Sequence, residues 1–556
     1  MANSADNDIS VIPFTTQLRS LALPYWLSNT MEMLERLAYY GLRTVLPVYM
    51  LLAVESGGPQ FDNVQKGQIL AAWAAIQSFV PILSGGFADR YGYRLAVAAS
   101  ILIKMAGYIG MAFAMEAAFV VSLGASAGVP GHPTVFWLFG AGAMLLALGT
   151  AIFKPGIQAL MADGITPQNS SVAWGLFYQC VNLGGFLGPI LAGYMKLMAW
   201  KWVFLSCAGI VALNFLILPF IPEPKREGPV SKESVWWLIY RSATEILEPR
   251  VLGFLAVFSG FWAMFYQLFD LLPVFIEDWV DTTGVYNLLA VPLFSWFGSV
   301  PPTEWGGHVP QELMVNLNAG LIMLFAFVVG YFTGKIRSMN AMIWGIVVAA
   351  LGIFLLRTHD GWMLLLGIAV FSFGEMMASP TKTRYIVAIA PPGKKGLYLG
   401  YVNATVGIGW SLGSLIAGTL YEEGGDKVAL ARRYLVDTHH MERAVVDAIP
   451  KTEVLTTLAS KIGAGIPEVT SLLWSTYQPT TIWVYFAAIG LISMIGLWAF
   501  DRVTRLDLRL EGLALTGVTF AVTALSYGWN VGVHFAALML LGVVLHGQRP
   551  APQVET

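Results

Sequence analysis

Cysteine is scarce in this chain: Cys180 and Cys207 are the only two in 556 residues, and both fall within apolar runs. That excludes a disulfide framework. Charge is scarce too, at 12% of residues, well below the share of an ordinary soluble chain. A net charge of −2 offers no basic footprint, so nucleic acid is excluded as a partner. Polar linkers of the kind that divide a long soluble chain into domains are almost missing. The first 20 residues lack the basic-then-apolar layout of a cleavable signal, so the first apolar segment is expected to stay as an anchor. Catalytic patterns are missing as well. No Ser/His or paired-Asp arrangement lies within an apolar run, and His439–His440 sits in a polar stretch, solvated rather than metal-binding. An intramembrane enzyme is therefore disfavoured.

What fills the chain is apolar sequence. Runs of roughly 20 residues, long enough for a hydrocarbon core of about 30 Å, recur near 22–53, 65–88, 94–122, 134–162, 172–196 and 199–221. A charged stretch, "EPKREGPVSKES", and an amphipathic piece follow. Runs resume near 251–276, 313–334, 340–357, 361–390, 398–421 and 479–500. This is an all-α polytopic membrane protein of two halves: 1–221, a linker at 222–250, and 251–510. An insert at 422–478 suggests two or three short helices, and 511–556 holds an apolar stretch broken at "SYGWN", read as a helical hairpin and tail. Lys and Arg cluster in "DRYGYR", "PKRE", "GKIRS", "PPGKKG" and "DRVTRLDLR", while the loop from Glu277 to Gln311 has neither. By the positive-inside rule the N-terminus is cytoplasmic, in the cell (plasma or inner) membrane.

The first run carries charge at its centre. Glu32, Glu35, Arg36 and Tyr39 recur at helical spacing and share a face. Each charge costs on the order of 2.5–3.5 kcal/mol at mid-membrane, so such groups face a bundle interior or a wet cavity. Glu32 and Arg36 form an i,i+4 pair that partly neutralises itself. A purely structural ion pair is the plain alternative. Lys154 lies inside the fourth run before Pro155, where snorkelling to the interface is the alternative, and Glu375 lies deep in the tenth before Pro380. Asn182 and Asn318 add neutral hydrogen-bonding groups. Divided between two halves, these residues suit a zwitterion, with carboxylates near its amine and Arg and Lys near its carboxylate.

Two stretches carry a resemblance. "GGFADRYGYR" resembles the loop between the second and third helices of the major facilitator superfamily. "EMLERLAYYG" resembles the first-helix motif of the proton-dependent oligopeptide transporter (POT) family, with Leu37 in place of Phe. "GTAIFKPGIQALMAD", "FYQCVNLGG", "FWAMFYQ", "NLNAG" and "GEMMASP" follow in that family's order, so the likeness spans roughly residues 20–500. It implies two six-helix bundles and a proton-coupled carrier of small peptides or similar zwitterions, working by alternating access with protons as the coupling ion and no other cofactor. Glu32, Glu35, Arg36 and Lys154 would respond to protons. Arg36 and Lys154 would receive the substrate carboxylate, Glu375, Asn182 and Asn318 its amine, and Tyr39, Tyr40 and Trp262 would line side-chain pockets. Gly85, Asp89, Arg90 and Arg94 would gate the conformational change. The partners implied are a small-molecule substrate and the lipid bilayer, with the chain a monomer.

The sequence also departs from that pattern. The acid that usually precedes the Gln of "FWAMFYQ" is here Tyr266, with Asp270 one turn later. Lys382 and Arg384 stand where the family is apolar, and they are expected to reach the membrane interface rather than the site. These departures leave a second cargo class open: nitrate, an amino-acid-like metabolite or an exported drug.

Overall fold

A computed structural model describes residues 13–162, 164–166, 168–224, 235–391, 395–506 and 510–546. The side chains of residues 82–91 lie outside the described residues, Gly85, Asp89 and Arg90 among them. Among the described residues the chain is helical, with no strand.

The first half packs six long helices: α1 (Leu23–Leu51), α2 (Asn63–Tyr91), α3 (Tyr93–Ala112), α4 (Pro133–Ala162), α5 (Ser170–Met198) and α6 (Trp200–Ala212). A short amphipathic helix, α7 (Val235–Ile246), lies in the linker. In the second half come α8 (Pro249–Phe265, continued by Gln267–Asp270 and Leu272–Trp279), α9 (Gln311–Gly334), α10 (Ser338–Leu355), α11 (Gly361–Ile389) and α12 (Lys395–Gly424). The insert folds as four short α-helices, one more than the longest expectation: α13 (Lys427–Asp437), α14 (Arg443–Asp447), α15 (Val454–Ile462) and α16 (Ile466–Tyr477). Asp426 caps α13 by accepting from the Ala429 N–H at 2.9 Å. The sixth helix of the second half is α17 (Thr481–Arg505), and the hairpin follows as α18 (Glu511–Tyr527) and α19 (Trp529–His546). Prolines 47, 81, 155, 189 and 380 sit inside long helices and interrupt their hydrogen-bond ladders.

Each half has its own buried apolar core. Ten of the described helices are long and apolar enough to cross a membrane. The helices α1, α2, α12 and α18 fall outside that set, α1 because of its polar centre and α18 because it is 17 residues long. The insert buries Leu430, Leu435, Leu458 and Leu473 against the second half's core, and Trp474 meets Phe275 and Trp279 with centroids 6.4 and 5.8 Å apart.

Two close helix approaches fix the geometry that matters below. A Cβ added to Gly41 of α1 would stand 3.0 Å from the Gly188 carbonyl oxygen of α5, and one added to Gly67 of α2 would stand 3.3 Å from Cα of Gly418 on α12. Only residues without side chains permit such spacing. The first clamps the charged helix against α5; the second draws the halves together at the end that bears the insert.

Candidate functional site

At the centre of α1, Glu35 is enclosed by two cations. Arg36 Nε donates to Glu35 Oε2 at 2.5 Å, and Lys104 Nζ stands 3.2 Å from Oε1. The i,i+4 partner expected from spacing, Glu32, is the looser one, with Oε1 3.4 Å from Arg36 Nε. Arginine is long enough to fold back on its immediate neighbour, so helical spacing did not settle the pairing. Glu32 is buried and its Oε2 has no hydrogen-bond partner among the described residues. Arg36 also lies over the rings of Tyr39 and Tyr40, at 4.9 and 5.9 Å from their centroids.

Lys104, on α3, is the residue that sequence reasoning missed. It is completely buried, and its ammonium lies 3.6 Å from the centroid of Phe153. The available signal was a lone lysine in "ASILIKMAGYIG". Removing one partner of a buried ion pair costs about 3–5 kcal/mol, whereas an exposed pair contributes about 0–1 kcal/mol. Lys104→Met is therefore expected to lower the unfolding temperature in detergent well below that of Lys201→Met, whose partner Glu116 and own side chain are both exposed. Equal unfolding temperatures would show that Glu35 does not depend on Lys104.

Lys154 on α4 lies within Coulomb range of Arg36, Glu32 and Glu35, yet it keeps exposed surface and makes no ion pair among the described residues. It lines the cavity. Across from it, Asn318 Nδ2 on α9 donates to Glu375 Oε2 at 2.9 Å and to Ser372 Oγ at 3.0 Å. Glu375 lies within Coulomb range of Tyr40 and Tyr178 from the opposite half. Asn182 turns its amide N–H to the Tyr178 carbonyl of its own helix, at 2.8 Å. Of the gating set, Arg94 is described: its backbone N–H and that of Tyr93 donate to Glu223 at 3.0 and 2.7 Å, closing the turn into α3.

Two departures from the family pattern acquire a physical reason. Tyr266 stacks flat on Trp410 of α12, with centroids 4.0 Å apart and planes 1° from parallel. Asp270 pairs with Arg43 of α1 in a fully buried contact. It also accepts from Trp410 Nε1 at 2.9 Å and Ser414 Oγ at 2.6 Å. In this chain the acid one turn nearer the insert thus ties α8 to α1. Lys382 requires a correction. It does not reach the interface: it is 5% exposed, its ammonium 3.8 Å from the centroid of Trp262. Lying seven residues beyond Glu375, it shares that residue's face of α11. Arg384, by contrast, bonds Ser338 and the Thr333 carbonyl at the helix end, as expected.

The bonds that join the halves gather toward the insert end. Besides Arg43–Asp270, they include Asn316 to the Phe186 carbonyl at 2.9 Å and Ser411 to the Ala71 carbonyl at 2.9 Å. Farther out, Lys196 meets Glu312 at 2.8 Å, Asn63 donates to Glu422 at 2.8 Å, and Lys451 of the insert donates to the Leu51 carbonyl at 2.8 Å. Toward the linker end Tyr178 is 41% exposed while still facing Glu375. The contacts between the halves thus close over the charged site on the insert side.

Comparison with known proteins agrees with this architecture. The multidrug resistance protein MdtH of Cronobacter sakazakii is 22% identical over 432 residues, covering 74% of this chain and 89% of that protein. The peptide transporter YePEPT of Yersinia enterocolitica is 25% identical over 468 residues, covering 71% and 87%. A POT family transporter solved in complex with 5-aminolevulinic acid superposes with a TM-score of 0.56 at 17% identity, covering 82% of this chain and 96% of the other. Its fold is this chain's fold. The profile of the Major Facilitator Superfamily matches residues 29–307 and 303–431, and with two six-helix halves around a central charged cavity the chain belongs to that superfamily.

Proposed function

We propose that the chain is a proton-coupled member of the POT family that carries small peptides or similar zwitterions by alternating access. The observation that carries this reading is the division of charge across one cavity: a cationic face of Arg36 and Lys154 on the first half, and Glu375 held by Asn318 on the second. A zwitterion bridging the two faces pairs its carboxylate with the first and its amine with the second. The amine and carboxylate of 5-aminolevulinic acid, bound by a structural relative, are groups of the same kind. A drug without charged groups, the alternative raised by relatives named as multidrug resistance proteins, would give Lys154 and Glu375 no counter-charge.

Coupling follows from the arrangement on α1. Glu35 is held by two cations, whereas Glu32 shares only the looser side of Arg36. When a substrate carboxylate draws Arg36 toward it, Glu32 loses its counter-charge and takes the proton. Proton and substrate then favour the same conformational change. With the N-terminus and linker on the cytoplasmic side of the cell membrane, the contacts at the insert end close the outer side of the site. Both faces of the site belong to one chain, so a monomer suffices for transport.

Dipeptide uptake into proteoliposomes under an imposed pH gradient tests the reading, with nitrate and free amino acids as comparison cargoes. Lys154→Ala and Glu375→Ala are each expected to weaken dipeptide binding, since losing one partner of a desolvated charge pair costs about 2–5 kcal/mol, a factor of at least about 30. Normal binding by both variants would place the site elsewhere.

A further inference from the structure

The fully ionised groups of the central constellation do not cancel. Glu32, Glu35 and Glu375 stand against Arg36, Lys104, Lys154 and Lys382, leaving one positive charge, while Arg43 and Asp270 neutralise each other. The surplus sits where partners are missing. Lys382 and Lys154 lie within Coulomb range of each other, and neither makes an ion pair or a hydrogen bond among the described residues. Two like charges facing each other repel, and neither has a carboxylate in direct contact: Glu32 and Glu35 act on Lys154 only from a distance, and Lys382 has only the face of Trp262. Beside Lys382, the indole Nε1 of Trp262 is buried and has no hydrogen-bond partner among the described residues. An ammonium 3.8 Å from the ring and an unpaired N–H on that same ring are two donors without an acceptor. A buried donor left unsatisfied is destabilising, and an incoming anion would offset that. Glu375, two turns back on the same face, remains free for an amine.

We propose that Lys382 and Trp262 form a second anion subsite, and that the preferred cargo is a zwitterion with one additional carboxylate. The amine goes to Glu375, one carboxylate to Arg36 and Lys154, and the other to Lys382 and Trp262 Nε1. One net negative charge on the cargo reduces the positive surplus of the constellation, which protonation of Glu32 during coupling would otherwise enlarge. This rests on the zwitterion-carrier reading above but narrows it to acidic solutes.

Matched pairs test it: the dipeptides Ala-Glu and Ala-Gln, and the amino acids glutamate and glutamine, titrated against the purified full chain in detergent. Wild type should bind the acidic member of a pair more tightly. Lys382→Gln should weaken the acidic member by about tenfold or more and leave the neutral one within about twofold. Trp262→Phe, which keeps the ring and removes the N–H, should narrow the same preference, and Lys382→Arg should retain it. Equal binding of both dipeptides, unchanged in Lys382→Gln, would overturn the subsite while leaving the peptide-carrier reading intact. If neither dipeptide binds but glutamate binds over glutamine in a Lys382-dependent way, the peptide reading fails and the subsite stands. Binding of no member of either pair overturns the subsite as well.

Discussion

Glu32→Gln is expected to reduce uptake driven by a pH gradient to the level seen without a gradient, while counterflow exchange of cargo continues. Glutamine keeps the shape and the hydrogen-bonding capacity of the side chain and removes only the titrating proton. Exchange moves cargo in both directions with no net proton movement, so it does not need that proton. The geometry singles out Glu32 because Glu35 is enclosed by Arg36 and Lys104, while one oxygen of Glu32 lacks any partner among the described residues. Glu35→Gln should behave differently. It leaves Arg36 and Lys104 as buried cations with one carboxylate fewer, so it is expected to lower stability and binding together. Gradient-driven uptake at wild-type rates in Glu32→Gln would remove this residue from the coupling mechanism. Wild-type rates in the double variant with Glu35→Gln would remove coupling from the first helix altogether.

The second large effect is conformational. Asp270→Asn keeps a side chain next to Trp410 and Ser414 but leaves Arg43 as an unpaired buried charge. That costs about 3–5 kcal/mol, a factor on the order of 10²–10³ in the population of a conformation that requires the pair. The pair bridges α1 and the second half near the closed end of the cavity. The variant should therefore open that end. A cysteine placed at Ser411, on the seam between α2 and α12, is expected to react faster with a membrane-impermeant thiol reagent in the Asp270→Asn background, and uptake is expected to fall. Replacing both Arg43 and Asp270 by methionine removes both charges, and labelling should return toward the wild-type rate because no uncompensated charge remains. Unchanged labelling and uptake in Asp270→Asn would show that the closed end is held by the outer contacts alone, those of Asn63, Lys196 and Lys451.

The amino-acid sequence by itself determined the fold class and which residues of α1 carry the charge. Apolar runs of membrane-spanning length leave the backbone no alternative to helix, because lipid satisfies none of its polar groups. A charge inside such a run is costly enough that it must face something polar, and that requirement is readable along one dimension. Hence Glu32, Glu35, Arg36, Lys154 and Glu375 stood out before any contact was known. Tertiary structure alone decided the partners. Lys104 looks like any lone lysine until α3 brings it against Glu35. Arg43 and Asp270 are 227 residues apart, and only the packing of α8 against α1 makes them a pair. Lys382, standing where the family is apolar, was expected at the interface. The rotation of α11 instead turns it inward over Trp262. Helix rotation and crossing depend on where backbones approach closely, as at Gly41 against Gly188, Gly67 against Gly418 and, for α11, Gly374 against Ala349 of α10. Spacing along one helix shows which residues share a face; what that face meets depends on how the other helices pack.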